Sequence, residues 1–133
     1  PAVRKLAGRI AAERGLHIYS VFKIPYAERC FSLCGPENFL GLVRGADFVL
    51  SNSFHATAFS VIFEREFAVV ERTEKINTRM RDFTAMLGLS DHMVTTGTEI
   101  PAGTDWTAVR RCLKDEIDHA KAYIDEVLRD VER

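Results

Sequence analysis

An α/β domain, with a small parallel sheet covered by helices on both faces, is the fold class that the sequence predicts. Three observations predict it. Two short continuous apolar runs, Phe48-Val49-Leu50 and Phe67-Ala68-Val69-Val70, read as strands buried on both faces. Segments around them carry apolar residues at three- and four-residue spacing, the period of a helix. The two patterns alternate along the chain, which is the order that builds a parallel sheet. At 133 residues the chain is one domain or part of one, and we read residues 1–133 as a single Rossmann-like domain.

Taken in order, Val3, Leu6, Ala7 and Ile10 predict a helix over residues 3–14, with Gly15 as its stop. Leu16 to Phe22 is rich in β-branched and aromatic residues and reads as a strand. Residues 23–35 read as irregular. Pro36 opens a helix to about Arg44, because proline suits the first helical position, and Phe39, Leu40 and Val43 form its inner side. Asp47 to Leu50 is a strand. Residues 54–64 form a helix that is apolar nearly all round, so it should be packed on several sides. Phe67 to Val70 is the next strand. Ile76, Met80, Phe83 and Leu87 predict a helix over 76–87 that ends near Gly88, and residues 92–96 a short edge strand. Ile100 to Thr104 is a loop. A long amphipathic helix runs over about 105–131, with Trp106, Val109, Leu113, Ile117, Ala120, Ile124, Val127 and Val131 on one stripe. It should lie across the domain or reach to a neighbouring one.

Composition excludes several classes. Hydrophobic residues make up 47% and charged residues 28%, as in an ordinary globular domain. The formal net charge of −1 gives no reason to expect nucleic acid as a partner. No apolar run approaches the roughly 20 residues that span a bilayer, and no signal-peptide pattern is present. Cys30, Cys34 and Cys112 are an odd set without a second ligand pair, so we expect neither a disulfide framework nor a metal site. Pro1 in place of Met, followed at once by a helical pattern, leads us to expect a fragment of a longer protein whose cleft has a second wall elsewhere.

The stretch Ser51-Asn52-Ser53-Phe54-His55 carries the best candidate site. It lies where a buried strand turns into a buried helix, which in a parallel sheet is the ligand-binding end. Helix N-termini attract anions. Capping alone accounts for small polar residues there, but not for His55 in the first turn of an apolar helix. A neutral imidazole at that place can move a proton or hold an anion. Arg72 follows the next strand, and Arg79 lies in the first turns of the helix after it. Both suit carboxylate or phosphate, against the plainer alternative of surface ion pairs with Glu71, Glu74 or Asp82. Tyr26 and Arg29 read as part of a solvated loop, and His17, His92 and His119 as structural or exposed. No HExxH, Walker A, GxGxxG or CxxC pair occurs.

Gly35-Pro36-Glu37-Asn38-Phe39-Leu40, then Ala46-Asp47-Phe48-Val49-Leu50-Ser51-Asn52-Ser53-Phe54-His55-Ala56-Thr57-Ala58-Phe59-Ser60, then Phe67 to Val70, Asn77-Thr78-Arg79-Met80 and Leu87-Gly88-Leu89 form a recognisable succession. It resembles the C-terminal part of the polysaccharide pyruvyl transferase family from about residue 35 to 92, and more weakly through the final helix. The Ser-Phe-His core with its flanking Ala-Asp and Phe-Ser is the specific element.

The resemblance implies the C-terminal lobe of a GT-B-type transferase built from two Rossmann-like lobes. It implies transfer of pyruvate, as a ketal, from phosphoenolpyruvate to sugar hydroxyls of a surface polysaccharide. It also implies a cytoplasmic bacterial enzyme without a cofactor, acting on a glycan or lipid-linked sugar, with peripheral membrane association of the parent protein as an option. His55 becomes the catalytic or donor-contacting residue, with Ser53 beside it and Arg79 as an anion contact. Glu64-Arg65-Glu66 departs from the family's small residue, Lys and Pro, and touches a turn. Two alternatives stand beside this expectation: a sugar-nucleotide-dependent glycosyltransferase donor lobe, and a non-catalytic module that binds a partner through its last helix.

Overall fold

A computed structural model describes residues 2–31, 35–71, 74–95 and 97–132. Among the described residues, five α-helices, a 3-10 turn at Ser90–His92 and two parallel sheets form an open α/β arrangement. Helix α1 spans Ala2–Arg14, α2 Pro36–Gly45, α3 Phe54–Ile62, α4 Glu74–Met86 and α5 Trp106–Glu132. The main sheet holds β3 (Val49–Ser51), β4 (Phe67–Val70) and β5 (Met93–Val94) in that spatial order, all parallel. The smaller sheet pairs β1 (Tyr19–Ser20) with β2 (Arg29–Cys30), also parallel.

Alternation along β4 divides the core into two layers. Phe67 and Val69 point to one face and meet Val61 of α3, Met80 of α4 and Val109 of α5. Ala68 and Val70 point to the other and meet Leu6 of α1 with Val94 of β5. All four β4 residues are buried, and Val69 is completely inaccessible. The predicted bounds of this strand and its burial on both faces both hold.

Helix ends follow local chemistry. Gly15, at φ +64°, lets the Leu16 amide reach back to the Ala11 carbonyl at 2.9 Å. Gly88, at φ +72°, does the same for Leu89 on Thr84 at 2.7 Å. At the end of α3 this left-handed position falls to Glu64, at φ +55°, and the Arg65 amide still closes on the Ser60 carbonyl at 2.8 Å. A residue other than glycine costs about 1–2 kcal/mol there. Glu64 also holds Arg110 of α5 at 3.0 Å. The side chain of Glu66 accepts hydrogen bonds from both the amide and the hydroxyl of Thr104, at 2.9 and 2.7 Å. The Glu64-Arg65-Glu66 turn therefore fastens the start of α5 to the sheet.

Two expectations are corrected. The strand over Leu16 to Phe22 shrinks to two residues, and it pairs with a segment read as irregular. Its sequence explains why: His17 and Tyr19 face solvent, and a parallel strand inside the main sheet needs apolar side chains on both faces. His17 instead meets Glu28 at 2.7 Å across the small sheet. Helix α3 is also less enclosed than its composition suggests. Ala56, Thr57, Ser60 and Val61 are buried, while His55 and Ile62 are exposed. The small hydroxylated side is the inner one, because Thr57 and Ser60 satisfy their hydroxyls on the carbonyls of Ser53 and Ala56.

Of the two placements open for the last helix, the structure takes the outward one. Asp105 caps α5 by accepting from the Ala108 amide at 3.2 Å. Val109 is its one buried residue among those described, and every residue from Lys114 to Glu132 is exposed. No helix among the described residues is long and apolar enough to cross a membrane.

Glu66→Ala removes two bonds to a carboxylate, so we expect a loss of about 1.5–3 kcal/mol in denaturant unfolding. Glu66→Gln should retain much of it. An unchanged midpoint for Glu66→Ala would show that this clamp does not hold α5.

Candidate functional site

At the C-terminal edge of the main sheet, β3 ends on Ser51 and α3 starts at Phe54, with Asn52 and Ser53 between them. Ser51 bends the chain: its Oγ accepts from the Ser53 amide at 2.8 Å. Ser53 takes the extended conformation of an N-cap residue, yet its side chain makes no capping bond. The first amides of α3 have no intrahelical acceptor, and the Ser53 side chain does not supply one. His55 is exposed in that first turn, with its ring 6.2 Å from the Phe54 ring. Ser53 is exposed beside it, and Ser51 and Asn52 are half-buried.

Arg79 reaches this turn from α4. Its guanidinium carbon lies 4.2 Å from the centroid of the Phe54 ring, a stacking distance at which a cation and an aromatic face attract. Phe54 is wedged against Phe83 of α4 at 5.5 Å. One aromatic ring therefore ties the start of α3 to α4 and holds the arginine at the start of α3. Of the carboxylates considered as its partner, Glu71 is approached instead by Arg81, at 3.9 Å. Arg72 lies outside the described residues, as does Cys34.

The structure thus places Ser51, Asn52, Ser53 and His55 on one turn, with Arg79 stacked on the Phe54 ring of that turn. It leaves Tyr26 beneath Arg4 and Arg29 over Phe31, each engaged locally. His92 is structural: it is 2% exposed, shares a 2.8 Å hydrogen bond with the Phe67 carbonyl and lies 3.4 Å from the Thr104 hydroxyl. Among the described residues no group of three or more His, Cys, Asp or Glu is placed to hold a metal ion. An open hollow of about 690 Å³ is lined by Lys23, Ile24, Pro25 and Cys30, none of them at this turn.

Phe54 belongs to the Ser-Phe-His core of the resemblance, but its part in holding Arg79 was not read from the sequence. Its apolar character matched the helix pattern, and only the fold shows that it carries Arg79. Thr95 and Thr98 were missed as well. They follow β5 at the same sheet edge, with hydroxyls 2.8 Å apart, and Arg9 of α1 donates to the Thr98 carbonyl at 2.6 Å. A polar run after a short edge strand is their one signal.

The two serines are separable by mutation. Ser51→Ala removes an acceptor in use and should lower stability by about 1 kcal/mol in chemical denaturation. Ser53→Ala should change it by less than about 0.5 kcal/mol, where a working N-cap typically loses about 1. The reverse order would mean that Ser53 caps α3.

A model of the family described as polysaccharide pyruvyl transferase matches residues 3–74. That segment covers more than half of the chain. It begins earlier than the resemblance seen from residue 35 and stops before Arg79, but it contains the whole Ser51–His55 turn. Comparison with curated proteins and with solved structures returned no match. With the family's model spanning α1 through β4 and the turn between β3 and α3, the chain belongs to the polysaccharide pyruvyl transferase family.

Proposed function

We propose that the chain is the donor-binding half of a pyruvyl transferase, a C-terminal Rossmann-like lobe that works against a second lobe of the same enzyme. The observation that supports this best is the exposed His55 in the first turn of an uncapped helix, with Arg79 held across the Phe54 ring. Phosphoenolpyruvate brings a carboxylate and a phosphate. Amides at a helix N-terminus and a guanidinium group are suited to both. Ser51, Asn52 and Ser53 are assigned to the donor, as is Arg72 on the sequence reading alone.

The reaction requires two proton movements. A proton is added to the methylene carbon of the enol while a sugar hydroxyl attacks the adjacent carbon. A second hydroxyl then attacks that carbon and the C–O bond to phosphate breaks, which leaves a ketal and inorganic phosphate. Of the two hydroxyl protons lost, one balances the methyl group and one leaves with phosphate. His55 is the residue we assign to proton transfer, a role typically worth 10²–10⁴-fold in rate. The acceptor in this proposal is a glycan or lipid-linked sugar of a bacterial surface polysaccharide, handled in the cytoplasm where phosphoenolpyruvate is made.

The same open helix end also suits the diphosphate of a sugar nucleotide, which keeps a glycosyltransferase donor lobe as the competing assignment. Calorimetry with phosphoenolpyruvate and with a UDP-sugar separates the two, and heat from the nucleotide alone would favour the second.

In the full-length enzyme His55→Ala should reduce ketal formation by at least about 100-fold. Thermal unfolding should be unchanged, since the side chain is exposed. Turnover at the wild-type rate in a folded His55→Ala enzyme would remove His55 from the mechanism.

A further inference from the structure

Beyond the strand-end site, α5 leaves the domain with an uncovered apolar seam. Ile117, Ile124, Val127 and Val131 are 45, 55, 41 and 76% exposed. Contiguous exposure of this kind marks an interaction surface. The seam keeps a strict heptad. Ile117, Ile124 and Val131 occupy its a positions, and Leu113, Ala120 and Val127 its d positions. Leu113 is half-buried against the domain, so the seam starts there and runs outward for about 28 Å at 1.5 Å per residue. A 3.5-residue repeat matches the seam of a coiled coil, whereas a helix lying on a globular core shows the broader 3.6 pattern.

We propose that α5 pairs with the α5 of a second copy of this chain, in a parallel two-stranded coiled coil. Three features select that occupant. β-branched residues at every a position, with Leu at a d position, favour two parallel strands. In a parallel pair each g residue faces the e residue five positions later on the partner. Glu116 then meets Lys121 of the other copy, and Tyr123 meets Leu128, so that one contact is an opposite-charge pair and the other apolar. An antiparallel pair with the same seam would set Glu116 against Asp130 and Lys121 against Lys121, both like-charged. The site-bearing domains would then lie side by side at the same end of the coil.

Sedimentation equilibrium of the 133-residue chain, between about 1 and 200 µM, tests this, because a short seam associates by mass action. The expected result is a reversible dimer. Ile124→Asp places a charge in the seam and should weaken association more than tenfold, roughly the effect of burying an unpaired carboxylate. Its domain should still unfold at the wild-type denaturant midpoint, since Ile124 is exposed and outside both core clusters. Glu116→Lys and Lys121→Glu should each weaken the dimer by about two- to fivefold, and the double exchange should restore it. A chain that stays monomeric over the whole range would overturn the proposal, and would assign the seam to another part of the parent enzyme. Association that survives Ile124→Asp would also overturn it, as would a dimer strengthened by Glu116→Lys, the signature of an antiparallel pair.

Discussion

Burial of β4 on both faces is the constraint from which the remaining architecture follows. Four consecutive apolar residues cannot face water on either side, so helices must cover the strand above and below. α1 supplies one layer, and α3, α4 and the first turns of α5 the other. The two ends of the strand extend that influence. At its start, the Glu66 carbonyl accepts from the Val49 amide at 2.9 Å while the Glu66 side chain grips Thr104. At its finish, the Glu71 amide bonds the Val94 carbonyl at 3.0 Å and aligns the edge where β3, β4 and β5 all terminate. His92 closes the arrangement by stacking on Phe67, with ring centroids 4.5 Å apart, and bonding its carbonyl. A strand of four residues thereby fixes both the site edge and the departure point of α5.

What could be read from the sequence was what depends on local pattern. Continuous apolar runs identified β3 and β4, and glycines marked the ends of α1 and α4, where a positive φ is needed. The three- and four-residue steps from Trp106 onward gave α5 to within a residue or two. The strand-end turn with His55 was legible for the same reason, since a strand, a polar turn and a helix announce themselves in order. Side-chain partnerships between distant segments were not legible. Nothing near Phe54 indicates that Arg79, 25 positions on, will stack over it, and nothing near Glu66 indicates Thr104. The division of labour between Ser51 and Ser53 was hidden too, because both are equally good capping residues and only backbone geometry decides which hydroxyl accepts. The short β1–β2 sheet failed as a prediction because β propensity was present without the two-sided apolar pattern a buried parallel strand requires.

Helix α3 meets two demands that oppose each other. Its inner side must be small to approach the sheet, and Ala56, Thr57 and Ser60 meet that need, with the hydroxyls of Thr57 and Ser60 turned back on the helix itself. Its first turn must remain open if amides are to meet a ligand, and the uncapped Ser53 leaves it so. A capped terminus would be more stable and less available. Tying Phe54 to both Phe83 and Arg79 recovers order for the turn without closing it, because the contact acts on the flank of the helix and not on its end.

The attachment of α5 at one end makes it a lever. Its root is the stretch from Trp106 to Leu113 around buried Val109, steadied by Glu64 and Glu66, and every residue from Lys114 to Glu132 is exposed. About 35 Å separates Val109 from Glu132 at 1.5 Å per residue, so a 10° rotation at the root sweeps the tip through about 6 Å. Slight repacking under Trp106 is thus magnified into a displacement larger than a side chain. The relation also runs backward: whatever immobilises the tip limits the angles open to the root, and with them the freedom of the loop that Glu66 holds against the sheet.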